Sequence, residues 1–117
     1  MEIREINQKY KFVNDWGYNR SGFYHKSTLL RNNVEIAYSK IQYYNRTWET
    51  YPYQTSMTRA VDSIIENELQ FFIKECKRKY NIKRLTKEKR EQAENQFYKV
   101  PHIVELLNIK EELKHRA

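Results

Sequence analysis

Eight cations stand between Lys77 and Glu91: Lys77, Arg78, Lys79, Lys83, Arg84, Lys87, Lys89 and Arg90, against only Glu88 and Glu91. They carry nearly all of the formal +7 charge of this 117-residue chain. Such density suits the binding of anions, whether phosphates or carboxylates, by charge and charge-assisted hydrogen bonds. Lys77 to Lys79 fall at the predicted end of a helix, where cations offset the helix dipole, so stability alone accounts for them. Lys87 and Lys89 fall at the predicted start of the next helix, where cations oppose the dipole. An anionic partner, nucleic acid or an acidic protein surface, would explain that placement. A solvated face is the plainer alternative.

Eight of the ten tyrosines precede Gln54. Aromatics on a sheet, flanked by Lys and Arg, can stack on unpaired bases. They serve as well as core-and-rim residues whose ring packs while the hydroxyl stays wet. Tyr43, Tyr44, Trp48 and Tyr53 are the candidate contacts if exposed. Glu68 falls inside an apolar helical stripe, so its carboxylate needs a partner, with Arg46, Lys9, Lys11 or a tyrosine hydroxyl as candidates. A general acid or base is the functional reading of that position, and an ion pair or rim position the structural one. His25, His102 and His115 do not cluster, and no HxxxH or HxH spacing occurs, so no metal site is expected. Cys76 is the single cysteine and sits in the helical stripe, which reads as packing. With two glycines in the whole chain, no glycine-rich phosphate loop can be built and no cofactor is expected. His25 with Arg46, Trp48 and Glu49 could be drawn as a nuclease-like set, but without diagnostic spacing, so an enzyme is the minority reading.

The elements that must position these groups follow from periodicity. Tyr10, Phe12, Trp16 and Tyr18 suit a strand, with Gly17 and Asn19 to Gly22 marking a turn. Phe23 to Leu30 reads as a second strand and Val34 to Tyr44 as a third, joined by an Asn32-Asn33 hairpin turn. In the third, Val34, Ile36 and Tyr38 alternate out of step with Ala37, Ile41 and Tyr43, which predicts a bulge or burial on both sides. Met1 to Gln8 reads as a helical turn or an arm. Met57, Val61, Ile64, Ile65, Leu69, Phe72, Ile73, Cys76 and Tyr80 form one broad helical stripe. Asn45 or Thr47 could cap that helix, and its start is expected between Thr47 and Pro52. Thr86 caps a second helix, Lys87 to Tyr98, with a thin apolar face of Ala93 and Phe97, to which Tyr98 could add. Pro101 opens the last at its first position.

The expected fold is therefore α+β: a three-stranded antiparallel sheet packed on a long helix, followed by two shorter helices. A single domain over 1–117 is expected, with the sheet at about 9–45, the long helix at about 48–80 and the others at about 87–99 and 101–115. One cysteine excludes an internal disulfide and suits a reducing cytoplasm. The first residues lack the pattern of a signal peptide, and no apolar run is long enough for a membrane span.

At the junction between sheet and helix, Tyr43 to Thr55 reads YYNRTWETYPYQT. This resembles a motif of small orphan proteins from phages, plasmids and genomic islands of Gram-positive bacteria: YNRTWE, a spacer, then an aromatic followed by Gln and Ser or Thr. His25-Lys26-Ser27-Thr28-Leu29 is similar to their upstream HKTT-like segment, and Asn81-Ile82-Lys83-Arg84-Leu85-Thr86-Lys87 to their downstream KRLTK segment. Pro52 departs from the pattern. The family carries no catalytic assignment. The resemblance implies a non-enzymatic regulator or anti-defence protein, including the anti-CRISPR class. Its expected partner is a host defence nucleoprotein, bound at a nucleic-acid or partner surface. The alternative is a direct DNA- or RNA-binding accessory protein of the element.

Overall fold

The computed structural model describes residues 1–44 and 53–115. These form four strands, β1 (Glu2–Glu5), β2 (Tyr10–Asn19), β3 (Gly22–Arg31) and β4 (Val34–Tyr44), then three helices, α1 (Gln54–Lys79), α2 (Lys87–Phe97) and α3 (Pro101–His115). The sheet is an antiparallel meander in the order β1-β2-β3-β4.

The expected three-stranded sheet is thus corrected to four strands. Residues 1–8 hold no helical turn; Glu2 to Glu5 pair with Lys11 to Asn14 along the edge of β2. Four residues with one apolar side chain give no alternation to read, and the pairing comes from the backbone ladder. Its connection is set by Asn7, whose Oδ1 accepts from the backbone N–H groups of Lys9 and Tyr10 at 2.8 and 2.9 Å. Gly17 is corrected too. It lies within β2, opposite Tyr24, whose hydroxyl would stand 2.7 Å from a Cβ at that position. Glycine there admits a cross-strand aromatic ring rather than a turn. The turn itself passes through Arg20 and Ser21, and Gly22 takes φ 126°. Asn32 and Asn33 both adopt positive φ, 53° and 65°, as the expected hairpin turn requires. The out-of-step alternation of β4 resolves as a register shift between Leu29 and Leu30, which leaves Ile36 as the extra residue against β3.

Helices cover one face of the sheet. Tyr10, Phe12 and Leu29 point into a core with Met57, Ala60, Val61 and Ile65 of α1 and Ile103, Leu106, Ile109 and Leu113 of α3. α1 packs on β3 and β4 and also touches α2 and α3. It starts at Gln54, with Tyr53 as N-cap and no side-chain cap bond, so later than the Thr47–Pro52 window. The caps expected at Asn45 or Thr47 lie outside the described residues. α1 and α3 run antiparallel, tied by Gln54 Nε2 to the Leu113 carbonyl at 2.9 Å and by Lys110 to Asp62 at 2.8 Å. α3 is fixed to the sheet by Glu105, which accepts from the Tyr10 hydroxyl at 2.6 Å and pairs with Lys9 at 3.1 Å. The tyrosine bond, and Lys9 after it, hold the Glu105 carboxyl below its ordinary range. No described helix is long and apolar enough to cross a membrane.

Leu29 is fully buried where sheet and helices meet. Leu29→Ala is expected to cost about 2–5 kcal/mol, the range for cavities of this kind. Urea denaturation should show a lower midpoint with an unchanged slope.

Candidate anion-binding edge

The eight cations gather where α1 hands the chain to α2. Asn81 makes that handover, with φ 53°. Its N–H bonds the Arg78 carbonyl at 3.2 Å, and the Ile82 N–H bonds the Lys77 carbonyl at 3.0 Å. This is a Schellman motif, which closes a helix by satisfying its last carbonyls. Five residues later Thr86 starts α2, its hydroxyl accepting from the Lys89 N–H at 3.2 Å. The two ends place Lys77, Arg78 and Lys79 on one side of the junction, Lys83 and Arg84 within it, and Lys87, Lys89 and Arg90 on the other.

Among the described residues, two of the eight are held by carboxylates. Arg78 meets Glu75 at 3.5 Å and Arg90 meets Glu94 at 3.2 Å, each within its own helix. Lys79 also lies 5.8 Å from the centre of the Tyr80 ring. No ion pair among the described residues holds Lys77, Lys83, Arg84, Lys87 or Lys89. All eight but Lys77 are exposed, and Lys77 is half-buried. The free N–H groups at the start of α2 add positive potential to the same edge.

The aromatic candidates stand elsewhere. Tyr53 caps the start of α1, and a helix of 26 residues spans about 39 Å, so Tyr53 and Lys79 mark opposite ends of the molecule's main helix. Tyr43 and Tyr53 are half-buried and pack around His25, with ring centroids 5.2 and 4.4 Å away. Burial first, then the charges of Glu2 and Asp15, raises the Tyr53 phenol above its ordinary value. Tyr44 ends β4, but its side chain lies outside the described residues, as does all of Trp48. The two described aromatic candidates, Tyr43 and Tyr53, therefore stand apart from the cations. The sequence reading missed Trp16 and Tyr18, 45% and 54% exposed and 5.7 Å apart at the aromatic end. Their alternation in β2 puts them beyond the helices on the covered face.

The remaining candidates resolve structurally. Among the described residues Glu68 pairs with neither Lys9, Lys11 nor a tyrosine hydroxyl, and Arg46 lies outside them; its Oε2 lies 2.5 Å from His102 Nε2, half-exposed, as a tie between α1 and α3. Helix antiparallelism brings the two together across 34 positions, a separation no local spacing reveals. Cys76 is half-buried rather than in the core, and Tyr80, expected in the stripe, is exposed at the helix end. His25 is buried among Phe23, Tyr43 and Tyr53. Arg46 and Glu49, drawn with it as a nuclease-like set, lie outside the described residues. Among the described residues no group of three His, Cys, Asp or Glu side chains is placed to hold a metal. No protein-family model, curated protein or solved structure matches this chain.

Two outcomes follow from these local contacts. Thr86→Ala should destabilise the start of α2 by about 0.5–2 kcal/mol, seen as faster amide exchange at Lys89. His25 is 1% exposed, and burial lowers its pKa from the ordinary 6.5. The unfolded chain then binds the proton more readily than the folded one. Its contribution to stability is complete above pH 6.5 and is lost as pH falls below that value through the folded pKa. Denaturation across this window should show the loss, and His25→Gln should flatten it.

Proposed function

We propose that this chain is a non-enzymatic protein of a mobile genetic element. It inhibits a host defence nucleoprotein, such as a CRISPR effector, by docking its cationic edge on a nucleic-acid or partner surface. One observation carries the reading. Two helix ends and the loop between them present eight cations, of which two are paired with carboxylates among the described residues. Helix capping accounts for the three at the end of α1, but Lys87 and Lys89 oppose the dipole of α2. The resemblance of Tyr43 to Thr55 to proteins of phages and plasmids supports the setting. Occlusion needs no reacting group, only an electrostatic match and a surface large enough to exclude a competitor.

A second reading is a direct DNA- or RNA-binding accessory protein of the element. It is favoured by the helix N-terminus at Lys87 in the middle of the patch, where backbone N–H groups and lysines together suit a phosphate.

Co-purification from bacterial lysate, with and without nuclease, separates the two. The inhibitor reading expects a stoichiometric nucleoprotein that survives nuclease treatment. Reversing Arg84 and Lys87 to glutamate should weaken that complex at least about tenfold, a cost of ~1.4 kcal/mol, without lowering the melting temperature. Direct binding instead expects nucleic acid alone, lost on digestion, with a log–log salt slope near −0.9 per phosphate contacted on duplex DNA.

A further inference from the structure

The cationic edge borders an apolar groove. Phe72 of α1 and Phe97 of α2 pack with ring centroids 5.7 Å apart, and beside them about 680 Å³ lies open between the helices. Its floor is Phe72, Cys76, Leu85 and Ala93, all buried or half-buried. Its rim is polar and exposed: Lys79, Tyr80, Lys89, Gln92 and Gln96, with Glu75 as the one acid. Glu75 is already engaged by Arg78. Phe71, 66% exposed, stands one turn before Glu75 on α1 and extends the apolar surface past the rim.

The volume falls in the range of ligand and anchor pockets, and the combination of surfaces is selective. A phosphate on this floor would lose hydration without gaining hydrogen bonds. An apolar side chain gains from the floor, and carboxylates beside it gain from the rim.

We propose that the groove seats an aliphatic or aromatic side chain of an acidic, amphipathic protein segment, with the segment's carboxylates on Lys79 and Lys89. The proposal rests on the inhibitor reading and names which part of the target is held: an acidic protein element rather than the nucleic acid. It belongs to the helix-in-groove mode of recognition, in which a few apolar anchors fix a charged helix.

Cys76, the chain's single cysteine, reports on the groove because it forms part of the floor. The probe is a designed helical peptide with Glu on one face and Leu and Phe on the other. Its controls are the same peptide with Ala for Leu and Phe, and an oligothymidylate. In the free protein Cys76 should react with a thiol-reactive aromatic disulfide. At ten times its Kd the amphipathic peptide should slow that reaction about tenfold, as occupancy requires. The two controls should not. Gln92→Glu with Gln96→Glu should abolish the protection by repelling the peptide. An unreactive Cys76 in the folded protein, no protection by the peptide, or equal protection by either control would each overturn the proposal. The glutamine variants leave Arg84 and Lys87 intact. A nucleoprotein held by the edge but indifferent to the groove variants would refute the groove and spare the inhibitor reading. Peptide protection without any nucleoprotein partner would do the reverse.

Discussion

A helix of 26 residues with one broad apolar stripe must hide that stripe from water, and neither sheet nor helix here is large enough to cover it alone. The sheet takes the first half, with Met57, Ala60, Val61 and Ile65 in one core with Phe12 and Leu29. α3 returns antiparallel along the side, adding Ile103, Leu106, Ile109 and Leu113. The second half passes to α2, whose own apolar face is little more than Ala93 and Phe97. Cover thins along the helix, and the groove lies where the cover runs out.

That gradient orders the chemistry. At the start of α1, polar groups are buried: Ser27 and Ser56 share a hydrogen bond of 2.6 Å, and His25 sits among three aromatic rings with no hydrogen-bond partner for its Nδ1 among the described residues. At its end, burial is partial and charge is dense. A Schellman closure at Asn81 and a threonine cap at Thr86 hold the turn between helices with local bonds, so Lys83, Arg84, Lys87 and Lys89 are not needed to build it. Side chains free of structural duty are available for recognition. The ties that fix α3, Glu105 to Tyr10 and Glu68 to His102, engage acids elsewhere in the fold.

The outward face of the sheet follows another rule. Tyr24 and Tyr38 are each met by a lysine, Lys40 at 4.3 Å and Lys26 at 5.2 Å. These pairs let aromatic rings stand in water on an open sheet while a charged stem covers part of them.

Much of this was local and therefore legible in the sequence. The Asn32-Asn33 turn, the cap at Thr86, the helix start at Pro101, the bulge in β4 and the stripe of α1 are each specified by neighbours within a turn or a strand, where the physics is short-ranged. The cationic run between Lys77 and Arg90 was legible for the same reason. What tertiary structure decided were the contacts across distance. β1 exists because the edge of β2 offers hydrogen bonds, not because Glu2 to Glu5 prefer a strand. Glu68 met His102, Tyr10 met Glu105, and Cys76 became part of the floor of a groove, because packing of helix on helix and helix on sheet brings together residues with no sequence relation. Tyr53 and the cations from Lys77 onward, twenty-odd residues apart along α1, were likewise set at opposite ends by the length of that helix, which composition does not record.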